Sequence, residues 1–365
     1  MANVPFNPAE IENPVEITGF KGAKYRRFKT PITPKENYRL VYEHKMPAWI
    51  PITGDVLSLI PRIDPDNVAR CFVCEANPLK PEEKVGGLDK FGVEWVYVPE
   101  VGGSMVKPGH PILDDVNNWK TIIKFPDINT WDWEGSKAAN ADYVNTDRFI
   151  SMTIMTGFFE RLISFMDFEN AIMALIDEDQ KDAVHELFDA LADLYIAMID
   201  KYVDCYHLDA LTLHDDWGSQ RAPFFSLNTA REMIVPHIKK VSDFCHSKGV
   251  FFDLHSCGKN DLVVPGYIEA GVDSWTGQTL NDKENLYELY GDKIILGIEP
   301  DVRFFGNKDV TPEMAKGAAE RFVAKYAKGF PYKPVLASGL GAPADYVQTL
   351  YAESRKAFYD MENNK

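Results

Sequence analysis

A chain of 365 residues, 45% of them apolar and 12% aromatic, carries enough hydrophobic side chain to bury a large core, either as one barrel or as two ordinary domains. Its formal net charge of −16 leaves no basic surplus to offset phosphate repulsion, which argues against a nucleic-acid partner and against an anionic membrane surface. Five cysteines, at 71, 74, 205, 245 and 257, are odd in number and too few for a disulfide scaffold. The first ten residues lack a basic stretch followed by an apolar one, and no run of about 18 apolar residues occurs, so a cytoplasmic protein is expected.

In chain order, residues 1–45 are polar and punctuated by proline and read as an N-terminal arm. Within the arm, Thr33 is placed to cap a helix that has Pro34 at its first position. The run Ala48-Trp49-Ile50-Pro51-Ile52 reads as a strand. From about 55 to 145 short β-prone pieces, including Val93-Glu94-Trp95-Val96-Tyr97-Val98, alternate with glycines and prolines, as in an inserted β-rich lid. Cys71-Phe72-Val73-Cys74 has no second such pair and reads as ordinary buried thiols.

Beyond residue 148 strands and helices alternate. Strands are expected at 149–154, 210–214, 250–255, 272–275, 293–298 and 334–337, and helices at 182–203, 229–247, 262–270, 282–290, 312–327 and 343–361. Short apolar strands alternating with amphipathic helices imply a parallel sheet covered on both faces. With the strand at Ile50-Pro51-Ile52 the count approaches eight, which predicts a single (β/α)8 TIM barrel over residues 1–365, its main repeats occupying 148–365.

Barrel chemistry belongs at the C-terminal ends of the strands. Those ends hold Thr156-Gly157-Phe158-Phe159-Glu160, His214-Asp215-Asp216-Trp217-Gly218, His255-Ser256-Cys257-Gly258 and Glu299-Pro300-Asp301. His255 and Cys257, two residues apart where a strand gives way to a loop, offer imidazole and thiolate to one ion, and the thiolate favours zinc over magnesium or calcium. Two ligands are not four, and a packed histidine beside a buried thiol would have the same sequence. Asp215, Asp216 and Glu160 are candidate general acids or orienting carboxylates; capping the following turn is the alternative role for the aspartates.

The ordered stretches His214-Asp215-Asp216-Trp217-Gly218-Ser219-Gln220, Ile234-Val235-Pro236, Lys248-Gly249, His255-Ser256-Cys257-Gly258 and Pro265-Gly266-Tyr267-Ile268-Glu269-Ala270-Gly271-Val272-Asp273 resemble the uroporphyrinogen decarboxylase superfamily. That superfamily includes cobalamin-dependent methyltransferases acting on coenzyme M, methanol, methylamines, chloromethane or methoxylated aromatics. The resemblance spans most of residues 33–355 and implies a (β/α)8 barrel. The decarboxylases grip porphyrin carboxylates with an arginine-rich motif after a Pro-x-Trp element. Here Met46-Pro47-Ala48-Trp49-Ile50-Pro51-Ile52-Thr53-Gly54-Asp55 has no arginine until Arg62, which disfavours that activity.

In the methyltransferase branch a His-x-Cys pair and a later cysteine hold zinc, and His255 and Cys257 match the pair. Where the later cysteine is expected stands Leu340, so the ligand set implied here is harder, with Glu299 favoured as a further ligand and Asp216 or Glu160 as alternatives. His214 is assigned a supporting place. The resemblance therefore implies a zinc enzyme moving a methyl group between a small methyl donor, favoured as a methoxylated aromatic, and the cobalamin of a separate corrinoid protein. A lyase of the decarboxylase type and a degenerate barrel that only docks a corrinoid protein are the alternatives.

Overall fold

The computed structural model describes residues 4–18, 24–100, 102–300, 309–337 and 342–363. Twelve strands occur among them: β1 (Val15–Thr18), β2 (Lys24–Arg27), β3 (Val56–Leu59), β4 (Gly86–Leu88), β5 (Glu94–Val98), β6 (Gly103–Val106), β7 (Phe149–Ile154), β8 (Ala210–His214), β9 (Phe251–His255), β10 (Ser274–Trp275), β11 (Ile295–Ile298) and β12 (Val335–Ala337). Seven belong to one sheet of order β12-β11-β10-β9-β8-β7-β3, and two small antiparallel sheets, β1-β2 and β4-β5-β6, accompany it. The fold is α/β with TIM-barrel-like strand order. Eight barrel strands were expected; among the described residues the sheet has seven.

The first strand lies elsewhere than the sequence suggests. Ile52 makes only a single parallel bridge to Ala337, and the strand forms a few residues later as β3. Pro51 explains the difference, because a proline has no N–H to donate to a ladder; its carbonyl accepts from Ala337 N at 2.9 Å instead. The later strands fall where the periodicity places them, and so do the helices between them. Beyond residue 148 one helix is additional to those expected: Phe158–Ala174, which follows β7 and is interrupted at Asp167 (φ 60°).

Two compact units divide the chain. One comprises residues 1–57, 147–150 and 273–365. In it the Thr33 capping box starts the helix Pro34–Tyr42, and β10, β11 and β12 pair in parallel. Trp49 is fully buried and donates from Nε1 to Asp55 at 2.8 Å, and the buried Arg355 donates to Glu10 at 3.0 Å.

The other unit comprises residues 58–146 and 151–272 and carries the rim motifs. β7, β8 and β9 pair in parallel, Ile154 opposite Leu213 and His214 opposite His255. Alternation sorts their faces: Met152, Ile154, Leu211, Leu213, Phe252 and Leu254 are buried, while Ser151, Thr153, Thr212, His214 and His255 are partly accessible. The long helix Lys181–Tyr206 buries Leu187, Leu191, Tyr195, Met198 and Tyr202 along one stripe of near-helical spacing. No helix among the described residues is long and apolar enough to cross a membrane.

Candidate metal site

Parallel register builds the site. His214 and His255 are the last residues of neighbouring strands and register partners, so their side chains leave the same face one strand spacing apart. The two imidazoles stack with centroids 4.7 Å apart and planes 24° from parallel. Asp216 follows His214 by two residues, and the donor atoms of His214, Asp216 and His255 all lie within 4.8 Å of one another. Among the described residues no other group of three histidine, cysteine or carboxylate side chains gathers this closely.

Cys257 adjoins this group, its Sγ 3.3 Å from Nε2 of His255. A tetrahedral zinc ion bonded at 2.0–2.3 Å holds its donor atoms about 3.3–3.8 Å apart. The His255–Cys257 separation falls at that spacing, and the 3.9 Å between Nε2 of His214 and Oδ1 of Asp216 falls close to it. Two imidazoles, a carboxylate and a neighbouring thiol are ordinary zinc donors, so the residues present fit the ion. Burial pushes the Cys257 thiol up, and Asp216 adds to the effect, so the thiolate needs a cation beside it.

Two backbone loops fix these donors. Asp215 N donates to His255 O at 2.9 Å, Cys257 N to Asp216 Oδ1 at 2.6 Å and Trp217 N to Ser256 Oγ at 2.9 Å. Asn260 then holds the second loop through Cys257 O at 2.7 Å. The loops meet at glycines: Gly258 has φ +91°, and a Cβ there would stand 2.1 Å from Gly218 O.

Behind His214 lies a chain of charges. Nδ1 of His214 is 2.7 Å from Oε2 of Glu160, and Oε1 of Glu160 accepts from Nη2 of Arg70 at 3.0 Å. Arg70 also donates to Thr156 Oγ1 at 3.3 Å and lies over the Trp95 ring, 4.8 Å from its centroid. Burial pushes the Glu160 carboxyl up, but the Arg70 guanidinium and His214 outweigh it and hold the group down to about 2. Burial alone would lower His214; the Glu160 charge beside it raises it instead.

Asp215, fully buried, has both oxygens engaged: Oδ1 accepts from Glu160 N at 2.9 Å, and Oδ2 from Phe159 N at 3.2 Å and Trp217 Nε1 at 2.9 Å. It thus caps the helix Phe158–Ala174 and orders the strand-end loop. Burial and the Glu160 charge push Asp215 up to about 7, against the pull of its three donors. Gly157 is required at this junction, because a Cβ there would stand 2.4 Å from Cβ of Asp215.

Of the residues singled out from sequence, His255, Cys257, Asp216, Asp215 and Glu160 thus share one region of this unit, with His214 at its centre. Glu299 belongs to the other unit, where it pairs with the ammonium of Lys283, and it is not a member of the cluster. Leu340 lies outside the described residues. Arg70 is the participant that sequence reasoning missed. It comes from the segment expected to form a lid, and no local pattern connects it with a glutamate 90 positions away.

No family model matches the chain, and no curated protein is similar to it in sequence. Among solved structures the chain resembles a methyltransferase from Methanosarcina mazei, with a TM-score of 0.60 and 16% identity over 90% of this chain and 99% of that one. The likeness is one of fold. An endo-β-N-acetylglucosaminidase from Cordyceps militaris (TM-score 0.33, 12% identity, 61% of this chain and 75% of that one) and a chitinase from Chromobacterium violaceum (0.34, 11%, 59% and 83%) align too weakly to carry an argument.

Proposed function

We propose that this protein is a zinc- and corrinoid-dependent methyltransferase that takes a methyl group from the oxygen of a small methoxylated compound, favoured as an aromatic ether, and passes it to a separate corrinoid protein. The observation that carries the proposal is the gathering of His214, Asp216 and His255 at adjacent strand ends, with Cys257 beside them, on a fold like that of the Methanosarcina methyltransferase. Two imidazoles and a carboxylate with at most one thiolate make a harder donor set than a pair of thiolates, which supports an oxygen rather than a sulfur substrate.

Displacement at a methyl carbon breaks the C–O bond and leaves its electron pair on oxygen, so a poor leaving group must have its charge met as it forms. Zinc bound here would supply that Lewis acidity, and the cob(I)amide of the partner would be the nucleophile that takes the methyl group. The chain's own residues hold and orient the donors. Glu160 and Arg70 order His214 from behind, Asp215 locks the loop that presents Asp216, and Asp216 anchors the amide of Cys257. Glu160, held low by Arg70, serves as a fixed negative charge rather than as a proton donor at neutral pH.

The experiment is a methylation assay of cob(I)alamin against methoxylated aromatics, methylated amines and methylated thiols, with the zinc content measured on the same preparation. Methyl transfer from methoxy compounds, lost on chelation and restored by zinc, is the expected result. Turnover confined to amines or thiols would refute the assignment to ethers, and full activity in metal-free protein would refute the zinc mechanism.

A further inference from the structure

We infer that Arg70 and Glu160 are positioning residues whose task is to set the tautomer and orientation of His214, so that Nε2 of its ring is presented to a divalent cation. The inference rests on the metal-site reading above and deepens it, assigning the tautomer that the ordering of His214 imposes. A neutral imidazole carries one proton, and which nitrogen keeps it is decided by the partner of each. Here Nδ1 faces Oε2 of Glu160 at 2.7 Å, a contact favourable only if Nδ1 carries the proton, since a carboxylate can only accept. The lone pair is thereby left on Nε2, the nitrogen facing Asp216 across 3.9 Å.

Glu160 is itself held in place. Its other oxygen takes a charge-assisted bond from Arg70, and its backbone N–H is tied to Asp215 at 2.9 Å in the first turn of the helix Phe158–Ala174. Arg70 is fixed in turn by Thr156 and by the face of Trp95, and the side chains of Arg70 and Glu160 are only 8% and 13% exposed. The alternative, a buried ion pair with a structural purpose alone, would need no contact between Glu160 and a ring whose far nitrogen belongs to a group of metal-capable donors. Carboxylates behind metal-bound histidines act in this way, and losing one typically weakens metal binding about ten- to a hundredfold.

The test uses the full chain and needs no substrate. Zinc affinity is measured by competition with a chromogenic chelator for wild type, Glu160→Ala, Glu160→Gln and Arg70→Met, with circular dichroism confirming the fold. Nitrogen-15 NMR of the metal-free protein, well above the imidazolium range, reads the tautomer of His214. Expected are an Nδ1–H ring in wild type, a mixture of tautomers in Glu160→Ala, and zinc binding about ten- to a hundredfold weaker in that variant. Glu160→Gln keeps a carbonyl acceptor and should recover part of the loss, and Arg70→Met should fall between. Wild-type affinity in Glu160→Ala, or a wild-type ring with its proton on Nε2, overturns the positioning role. Equal loss in Glu160→Ala and Glu160→Gln also overturns it, because charge rather than orientation would then be responsible. Failure of wild type to bind zinc at all would refute the metal site, while the tautomer of His214 would still decide whether Glu160 orients that ring.

Discussion

At the scale of single residues, the side chains proposed to hold an ion are distinct from those that order them. Replacing His214 or His255 by alanine removes an imidazole from a three-donor cluster and should leave protein with little bound zinc after purification, as read by elemental analysis. Glu299→Gln should leave zinc content unchanged, since that carboxylate is engaged with Lys283. Retained zinc in the histidine variants, or loss of it in Glu299→Gln, would move the site elsewhere. Asp215→Ala should act on stability: three N–H donors lose their buried acceptor, a cost of about 1–3 kcal/mol, visible as a lower urea midpoint.

Sequence makes this residue scale half legible. His255 and Cys257 stand out because their spacing is local and follows a clear strand. The weight of His214 is less visible, because it depends on the register that sets it opposite His255, 41 positions further on. Glu160 and Glu299 look alike in sequence, each a carboxylate soon after an apolar strand. Their neighbours separate them, a histidine ring in one case and a lysine ammonium in the other.

At the scale of elements, the helix that Asp215 caps is also pinned by a buried charge network. Arg161 donates to Asp89 at 2.5 Å and to Asp66, and Lys90 meets Asp66 at 3.0 Å and Asp64 at 2.9 Å, with all of these side chains almost fully buried. The network ties the helix Phe158–Ala174 to Asp89 and Lys90, beside β4, and to the helix Pro65–Ala69, whose next residue is Arg70. Arg161→Met leaves Asp89 without its cation and Asp66 with Lys90 alone, and should cost about 3–5 kcal/mol of stability. Burial pushes the Asp66 carboxyl up, but Arg161 and Lys90 outweigh it and hold the group down to about 2. A carboxyl whose folded value lies below its unfolded one stabilises the fold above the unfolded value, and that contribution is lost as pH falls from about 4 towards 2. In Arg161→Met the acid transition should therefore begin at higher pH than in wild type, as followed by tryptophan fluorescence. An unshifted acid transition would show that the network contributes little.

For the whole molecule, strand and helix alternation was readable because short apolar strands and amphipathic helices have distinct periods. The segment 55–145 was harder. Its short strands β4, β5 and β6 were visible as β-prone, whereas the helix Trp133–Val144 buries only Trp133 and Asn140 and so leaves no apolar stripe to detect. If only the folded chain binds zinc, its stability should rise by about 2.7 kcal/mol at a hundredfold excess over the dissociation constant, and it should melt at a higher temperature. Calorimetry with and without chelator measures this, and identical melting curves would contradict a site formed only in the folded state.

The meeting of Gly218 and Gly258 separates spacing from chemistry. The two loops touch backbone to backbone where no methyl group fits on Gly258, so main-chain contact sets how closely they approach, and the Asp216 bond to the Cys257 amide holds them there. Positions 214, 216, 255 and 257 then behave as sockets on a rigid frame. On the proposed reading, exchanging the donor at 214, 255 or 257 should alter which ion is preferred while the glycine contact stays, whereas exchanging Asp216 also removes the acceptor of the Cys257 amide. A bulkier residue at 218 or 258 pries the frame apart while every donor is still present.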